Sequence, residues 1–328
     1  MKGPLISIIM PVFNAERFLS EAIHSALQQT WPTKQLIIVD DGSTDSSLSI
    51  ARKFESENVL VISVPNGGAA RARNIGFQYS TGDFIQYLDA DDLMKEDKME
   101  LQMKRLLAES DSQSTICAGQ WLRFGKDLTD IFGGVGPGPQ AEKDMSPVDW
   151  LLLRPYNLMT VHAWLTPRKL IEEAGPWNET MTLDDDGEFF IRVVSKASKV
   201  IFCPGVISFY RTSSEDSLSK FITSYRHPDG CNKFRSAYKS LLTYQGALKK
   251  FSHPDTQKAI NLNLLLMAFN SYLICDEVYE SCYRQLTVSV CNRLEIYKIK
   301  RGVFGLVNLL VGWKAAKRLH MLISVLKF

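Results

Sequence analysis

The sequence is defined first by what it lacks. No Gly-x-Gly-x-x-Gly loop follows the first apolar run, where Pro11-Val12-Phe13-Asn14 stands instead; that counts against a nicotinamide or flavin enzyme. No Gly-x-x-x-x-Gly-Lys-Ser/Thr occurs either, so a P-loop is excluded. The six cysteines, at 117, 203, 231, 275, 282 and 291, form no Cys-x-x-Cys pair and none sits near a histidine at zinc-ligand spacing. They read as reduced, mostly buried thiols of a cytoplasmic chain. No window of about 18 apolar residues exists, so no spanning helix is expected. The opening MKGPLISIIMPVFN is short, contains a proline and lacks a small-residue cleavage site, and reads as a first strand rather than a signal peptide. A net charge of +2 is too balanced to indicate nucleic-acid binding.

What is present is an alternation of strand-like and helix-like segments. Leu5–Phe13 is a near-continuous Ile- and Val-rich run, and an amphipathic stretch, Ala15–Gln29, follows it. Leu36–Val39, Val59–Val64 and Asp83–Leu88 read as further strands. Helices are expected from the Ser43-Thr44-Asp45 cap to about Glu55, over Ala69–Tyr79 and over Lys95–Ala108. Such alternation predicts an α/β fold with right-handed crossovers and a mostly parallel, Rossmann-like central sheet with helices on both faces. Ligands of such sheets sit at the carboxyl ends of the strands. Residues 125–145, with GGVGPGP, read as a long loop, and the chain is expected to be helical after about Ser224. The expected organisation is therefore two halves, 1–110 and 111–224, and a helical region, 225–328.

The acidic residues gather where strands stop. The second strand ends in Asp40-Asp41-Gly42, placed to accept hydrogen bonds from a ribose or a base, although turn and cap chemistry alone also suits it. The fourth ends in Leu88-Asp89-Ala90-Asp91-Asp92, more acid than a helix cap requires and a fitting donor set for a hard divalent cation carrying a diphosphate. A third cluster, Asp184-Asp185-Asp186, opens a later amphipathic segment. It suits either the helix dipole or a general base facing an acceptor hydroxyl. Between the third strand and its helix, NGGAARARNIG offers small residues and two arginines to a phosphate.

PVFN at 11–14, IIVDDGSTD at 37–45, NGGAARARNIG and YLDADD at 87–92, followed by RKLIEEAGPWNETMTLDDDGEFFIR at 168–192, resemble the family 2 glycosyltransferases of GT-A fold. The likeness spans about two thirds of the chain. It implies an inverting transferase using a nucleotide diphosphate-sugar, UDP-sugar favoured, with Mg²⁺ or Mn²⁺, and a glycan or lipid-linked hydroxyl acceptor. By that resemblance Pro11, Val12 and Phe13 border the nucleotide and Asp40 or Asp41 contacts the base. Arg73 lies near the donor, Asp89 approaches the ribose side, and Asp91 holds the metal. Asp186 is the general base with Asp185 in support, and Arg211 serves the diphosphate. Two departures stand out. The family's Glu-Asp pair is Asp185-Asp186 here, and the histidine of its Tyr-Arg-x-His pattern is Ser213.

Two rivals belong to other classes. A catalytically inactive, nucleotide-sugar-binding regulatory subunit would keep the first two clusters without needing the third. A nucleotidyltransferase would share the sheet and metal acids, but it calls for a Gly-rich basic loop after the first strand, which is absent. The tail from Arg293 to Phe328 carries eight Lys or Arg against one acid around the apolar GVFGLVNLLVGW. That pattern suits an interfacial helix on the inner face of an anionic membrane, or a helix buried on the domain or in a homodimer.

Overall fold

The apolar run near the N-terminus forms β1 (Ile6–Val12), and all seven of its residues are buried. A strand with no exposed face is what a central parallel strand covered on both sides requires. The computed structural model describes residues 3–132, 136, 141–154, 159–212, 230–272 and 274–286. Around β1 lie β2 (Lys34–Asp40), β3 (Val59–Ser63), β4 (Phe84–Tyr87), the two-residue β5 (Leu93–Met94), β6 (Thr115–Phe124), β7 (Trp164–Pro167) and β8 (Lys199–Arg211). They form one sheet in the order β3-β2-β1-β4-β7-β6-β8-β5. The first four in that order are parallel neighbours. Beyond β4 the sheet is mixed: β7 runs antiparallel to both β4 and β6, β8 is parallel to β6, and β5 is antiparallel to β8.

Helices follow the strands as the periodicity predicts, with shorter bounds. Helix α1 is Leu19–Leu27, α2 Ser47–Arg52, α3 Ala69–Tyr79 and α4 Lys98–Leu107. The N-cap residue of α2, Ser46, makes no side-chain cap bond; instead Asp45, the residue before it, accepts from Ser47 N through Oδ1 at 2.9 Å. Helix α3 lies close on β1 and β2, and Gly76 permits this: a Cβ there would meet Ile9 Cγ2 at 2.4 Å. Three further helices, α5 (Pro147–Leu152), α6 (Arg168–Ala174) and α7 (Asp185–Val194), complete the first of two compact units, Met1–Met181 with Asp185–Glu215. The two expected halves share its single sheet.

The second unit, Thr182–Asp184 with Asp216–Phe328, contains α8 (Gly230–Leu248), α9 (Thr256–Ser271) and α10 (Asp276–Gln285). Ser236 of α8 holds the short segment 182–184: its Oγ accepts from the N–H groups of Thr182 and Leu183 at 2.9 Å and donates to Leu183 O at 2.8 Å. Here the thiol expectation needs correcting, because Cys231 and Cys275 form a disulfide across 44 residues. Folding brings the start of α8 to the residue preceding α10, a proximity that cysteine spacing alone does not reveal. Bonds of this kind persist chiefly in oxidising compartments. Cys117, Cys203 and Cys282 are free and buried. No helix among the described residues is long and apolar enough to cross a membrane. The basic tail, 293–328, and most of the GGVGPGP stretch lie outside the described residues.

One buried charge ties the two parts of the sheet together. Lys98, fully buried at the start of α4, donates to Gln86 Oε1 of β4 at 2.5 Å and to Gln102 Oε1 at 2.7 Å. The two glutamines pass the network to the carbonyls of His162, Cys117 and Ala163. Burial lowers the Lys98 pKa to about 7. Between pH 7 and the ordinary lysine range the unfolded chain binds a proton that the folded chain does not, so stability rises with pH across that window, by up to about 5 kcal/mol. Lys98→Met should lose that rise. It should also be less stable by about 2–4 kcal/mol near pH 9, because two glutamine oxygens lose their donor. Melting curves at pH 6.5, 8 and 9.5 check both.

Candidate active site

The carboxyl ends of β1, β2 and β4 meet in register. Val12 lies opposite Asp40, Asp41 N donates to Val12 O at 2.8 Å, and Leu88 N donates to Ile9 O at 3.0 Å. The loops that follow β1 and β2 are laced reciprocally. Asn14 N donates to Ser43 Oγ, Thr44 N to Asn14 Oδ1, Ser46 N to Glu16 Oε2, and Glu16 N to Asp45 Oδ2, all within 2.8–3.1 Å. Asn14 takes a φ of 47° to make this exchange. Pro11 and Val12 are buried behind it, whereas Phe13 is 52 % exposed at the mouth.

The two acids of β2 separate by role. Asp41 is spent on the loop before α3: Oδ1 accepts from Gly67 N at 2.9 Å, and Oδ2 from Gly68 N at 2.7 Å and Asn66 Nδ2 at 3.1 Å. Its carboxylate thus shapes the glycine loop from beneath. Asp40 accepts from Ser63 Oγ at 3.1 Å through Oδ2, while its buried Oδ1 has no partner among the described residues. Of the pair, Asp40 has the carboxylate oxygen that no described residue satisfies.

Arg73 joins two acidic clusters that lie far apart in the chain. From α3 its Nη2 reaches Asp89 Oδ1 at 2.8 Å and its Nη1 reaches Asp185 Oδ2 at 2.9 Å. The guanidinium is buried and stacks over the Trp177 ring at 4.5 Å. Burial works against its charge, but Asp89, Asp185 and Asp186 more than offset it and hold the pKa above the usual arginine range. Lysine could not bridge both acids and stack at once. Arg73→Met leaves two carboxylates without their cation and should cost about 2–4 kcal/mol, read as a lower midpoint in urea unfolding.

The strand-end acids also divide. Asp92 is buried, with Oδ1 accepting from Arg211 N at 2.8 Å and Oδ2 lying 3.1 Å from His162 Nδ1, off the line of a hydrogen bond. Arg211 is a brace. Its side chain has no exposed surface; it donates to Asp91 O, Lys126 O and Glu21 Oε2 and lies between the rings of Phe18 and Phe124. In this arrangement its guanidinium presents nothing to a diphosphate.

Asp91 differs from both neighbouring acids, since no other described residue donates a hydrogen bond to its carboxylate. Burial first, then Asp92 and Asp89, push its pKa up to about 8. Among the described residues no three His, Cys, Asp or Glu side chains converge as a metal cage. Mg²⁺, however, commonly takes one or two carboxylates from a protein and fills its octahedron with phosphates and water. A single uncommitted carboxylate crowded by two others fits that habit.

Asp185 and Asp186 open α7, where acids suit the positive end of the helix dipole. Asp184, just before them, has a φ of 60°, which turns the chain sharply into the helix. Asp185 faces Arg73, and Asp186 Oδ1 accepts from Gly187 N at 2.8 Å. Arg192 pairs with Glu188 one turn back, at 2.8 and 2.9 Å, not with Asp186, and it also caps the carbonyls that end α6. Residues that sequence reasoning passed over hold the site: His162 behind Asp92, Glu21 on Arg211, and Trp177 beneath Arg73. Only Trp177 had a local signal, as an aromatic just ahead of an acidic helix start.

Comparison with known proteins bears on the family and the fold. Residues 7–131 match the family model described as glycosyl transferase family 2. An uncharacterized glycosyltransferase of Haemophilus influenzae is 46 % identical over 110 residues, covering 33 % of this chain and 44 % of that protein. A putative teichuronic acid biosynthesis glycosyltransferase of Bacillus subtilis, TuaG, is 38 % identical over 110 residues, with the same two coverages of 33 % and 44 %. The chain spans less than half the length of the curated relatives it matches. The crystal structure of S. aureus TarS 1-349 in complex with UDP-GlcNAc superposes with a TM-score of 0.59 at 15 % identity, covering 96 % of this chain and 91 % of that one. Residues 7–131 thus carry the glycosyl transferase family 2 match, and the fold is that of GT-A type glycosyltransferases.

Proposed function

We propose that the chain is an inverting, metal-assisted glycosyltransferase that moves a sugar from a nucleotide diphosphate-sugar, UDP-sugar favoured, to a hydroxyl acceptor in cell-envelope polysaccharide, lipid-linked or surface glycan synthesis. The observation that carries the reading is the Arg73 bridge, which holds the strand-end acid Asp89 and the helix-start acid Asp185 on one cation. Donor-side and acceptor-side groups thereby share one locus at the carboxyl ends of the parallel strands. The names of TuaG and of TarS bound to UDP-GlcNAc support the choice of glycan class and donor.

The geometry supports these roles. Phe13 stacks on the base at the mouth and Pro11 and Val12 border it, while the free Oδ1 of Asp40 accepts a base N–H. Asp41 shapes the glycine loop beneath the nucleotide. Asp89 faces the ribose and donor sugar. Asp91 would hold Mg²⁺ or Mn²⁺, which when bound neutralises charge on the departing diphosphate. Asp186 accepts the acceptor's hydroxyl proton, the oxygen attacks the anomeric carbon from the opposite face, and the nucleoside diphosphate leaves, so configuration inverts. Asp185, fixed by Arg73, sets the start of the helix that carries this base. Orientation and fixed dipoles supply most of the rate.

A thermal-shift screen of nucleotide sugars with MnCl₂ tests the donor class. A UDP-sugar present at about 100 times its Kd should add about 2.7 kcal/mol of stability, while GDP- and CDP-sugars add far less. No shift with any nucleotide sugar rejects the reading.

A further inference from the structure

We infer that Asn74 and Trp177 are a positioning pair that sets the separation of the donor-side and acceptor-side acids; the inference rests on the transferase reading above. The side-chain amide of Asn74 grips the backbone of Trp177 as a neighbouring strand would. Its Oδ1 accepts from Trp177 N at 2.8 Å, and its Nδ2 donates to Trp177 O at 3.0 Å and to Glu179 Oε1 at 2.8 Å. These bonds join α3 to a segment 103 residues away in the chain.

The indole they fix is buried and touches the residues that carry and bridge the two acids. One face stacks on Phe189 of α7, with centroids 4.0 Å apart and planes 9° from parallel. Its ring meets Tyr87, the last residue of β4, edge-on at 5.1 Å. The Arg73 guanidinium lies over it at 4.5 Å. Tyr87 is two residues before Asp89, and Phe189 is four residues after Asp185. Trp177 is therefore the spacer between the strand that ends in the donor-side acid and the helix that begins with the base. It also supports the arginine that bridges the two. Asn74 holds that spacer at one height. Neither residue touches the reacting atoms; both act through Arg73, Asp89 and Asp185. A displacement of about 1 Å between oriented groups is enough to cost about 100-fold in rate.

The test measures UDP binding by calorimetry with MnCl₂ and UDP-GlcNAc turnover, water serving as acceptor, for wild type, N74A, W177A and W177F. Wild type should bind one UDP and release UDP from the sugar nucleotide. N74A and W177A should keep that stoichiometry and a KM within about threefold, while turnover per bound site falls about 10–100-fold. W177F keeps a ring against Phe189 and should recover to within about fivefold of wild type. Reduced UDP stoichiometry with unchanged turnover per site would mean the pair serves folding alone and would overturn the inference. Should W177A fail to fold, N74A and W177F still decide it: turnover per site at the wild-type level in both overturns it. A wild type that binds UDP but turns over no UDP-sugar overturns the transferase reading and the inference with it.

Discussion

Asp186→Asn should leave UDP-sugar binding intact and lower sugar transfer by about 100- to 10,000-fold, the usual range for removing a general base. The carboxylate opens α7 beside Asp185, and its Oδ1 already accepts from Gly187 N at 2.8 Å. An amide of the same size can keep the helix start but cannot take a proton from an attacking hydroxyl. The nucleotide contacts proposed for Phe13 and Asp40 lie on other elements, so Kd for UDP should move by less than about threefold, and effects at separate sites should stay nearly additive. Titration calorimetry paired with a transfer assay separates the two readouts. Wild-type turnover in the variant would reject Asp186 as the base. A regulatory subunit without activity would show no turnover in either protein, so the comparison also discriminates the rival class.

Asp91→Asn should do two things that rarely go together: abolish metal-dependent donor binding and stabilise the fold. Burial, Asp92 and Asp89 raise the Asp91 pKa to about 8, against an unfolded value near 3.8. Between those pH values the folded chain holds a proton that the unfolded chain has released. Stability therefore falls as pH rises through the window, and the full penalty stands above pH 8. Asparagine removes the charge. The variant should melt higher than wild type at pH 8.5, by about 2–4 °C for each kcal/mol relieved, and the gap should close near pH 4. In the same variant, MnCl₂ should no longer tighten UDP binding. A fold that is stabilised while function is lost is expected where acids are crowded to serve a ligand. If the variant melts lower at pH 8.5, Asp91 serves the fold and not a cation.

Much of this was legible in the sequence, for local reasons. The continuous apolar run of β1 announced a strand buried on both faces, and acids directly after strands announced the ligand end of a parallel sheet. What stayed hidden needed tertiary placement. Asp40 and Asp41 are adjacent and chemically alike. Only the return of the Asn66–Gly68 loop shows that Asp41 is consumed by backbone N–H groups while Asp40 keeps a free oxygen. Arg211 followed a family pattern for a diphosphate contact, yet Phe18 and Glu21 at the start of α1 and Phe124 at the end of β6 enclose it. The Cys231–Cys275 bond and the Arg73 bridge are of the same kind, since each joins residues whose spacing carries no signal. The strand pairing within the mixed half of the sheet was also unreadable. Its β6–β8 pairing connects Thr115 with Lys199, with β7 and the helices α5, α6 and α7 in the intervening chain.

The stereochemistry of donor cleavage tests the central claim most directly. Proton NMR can follow wild-type protein with MnCl₂ and a UDP-α-sugar, with water as acceptor, before mutarotation sets in. Single displacement assisted by Asp186 predicts that the β-anomer appears first and that Asp186→Asn releases almost none. Initial release of the α-anomer, or equal release by the variant, would contradict it.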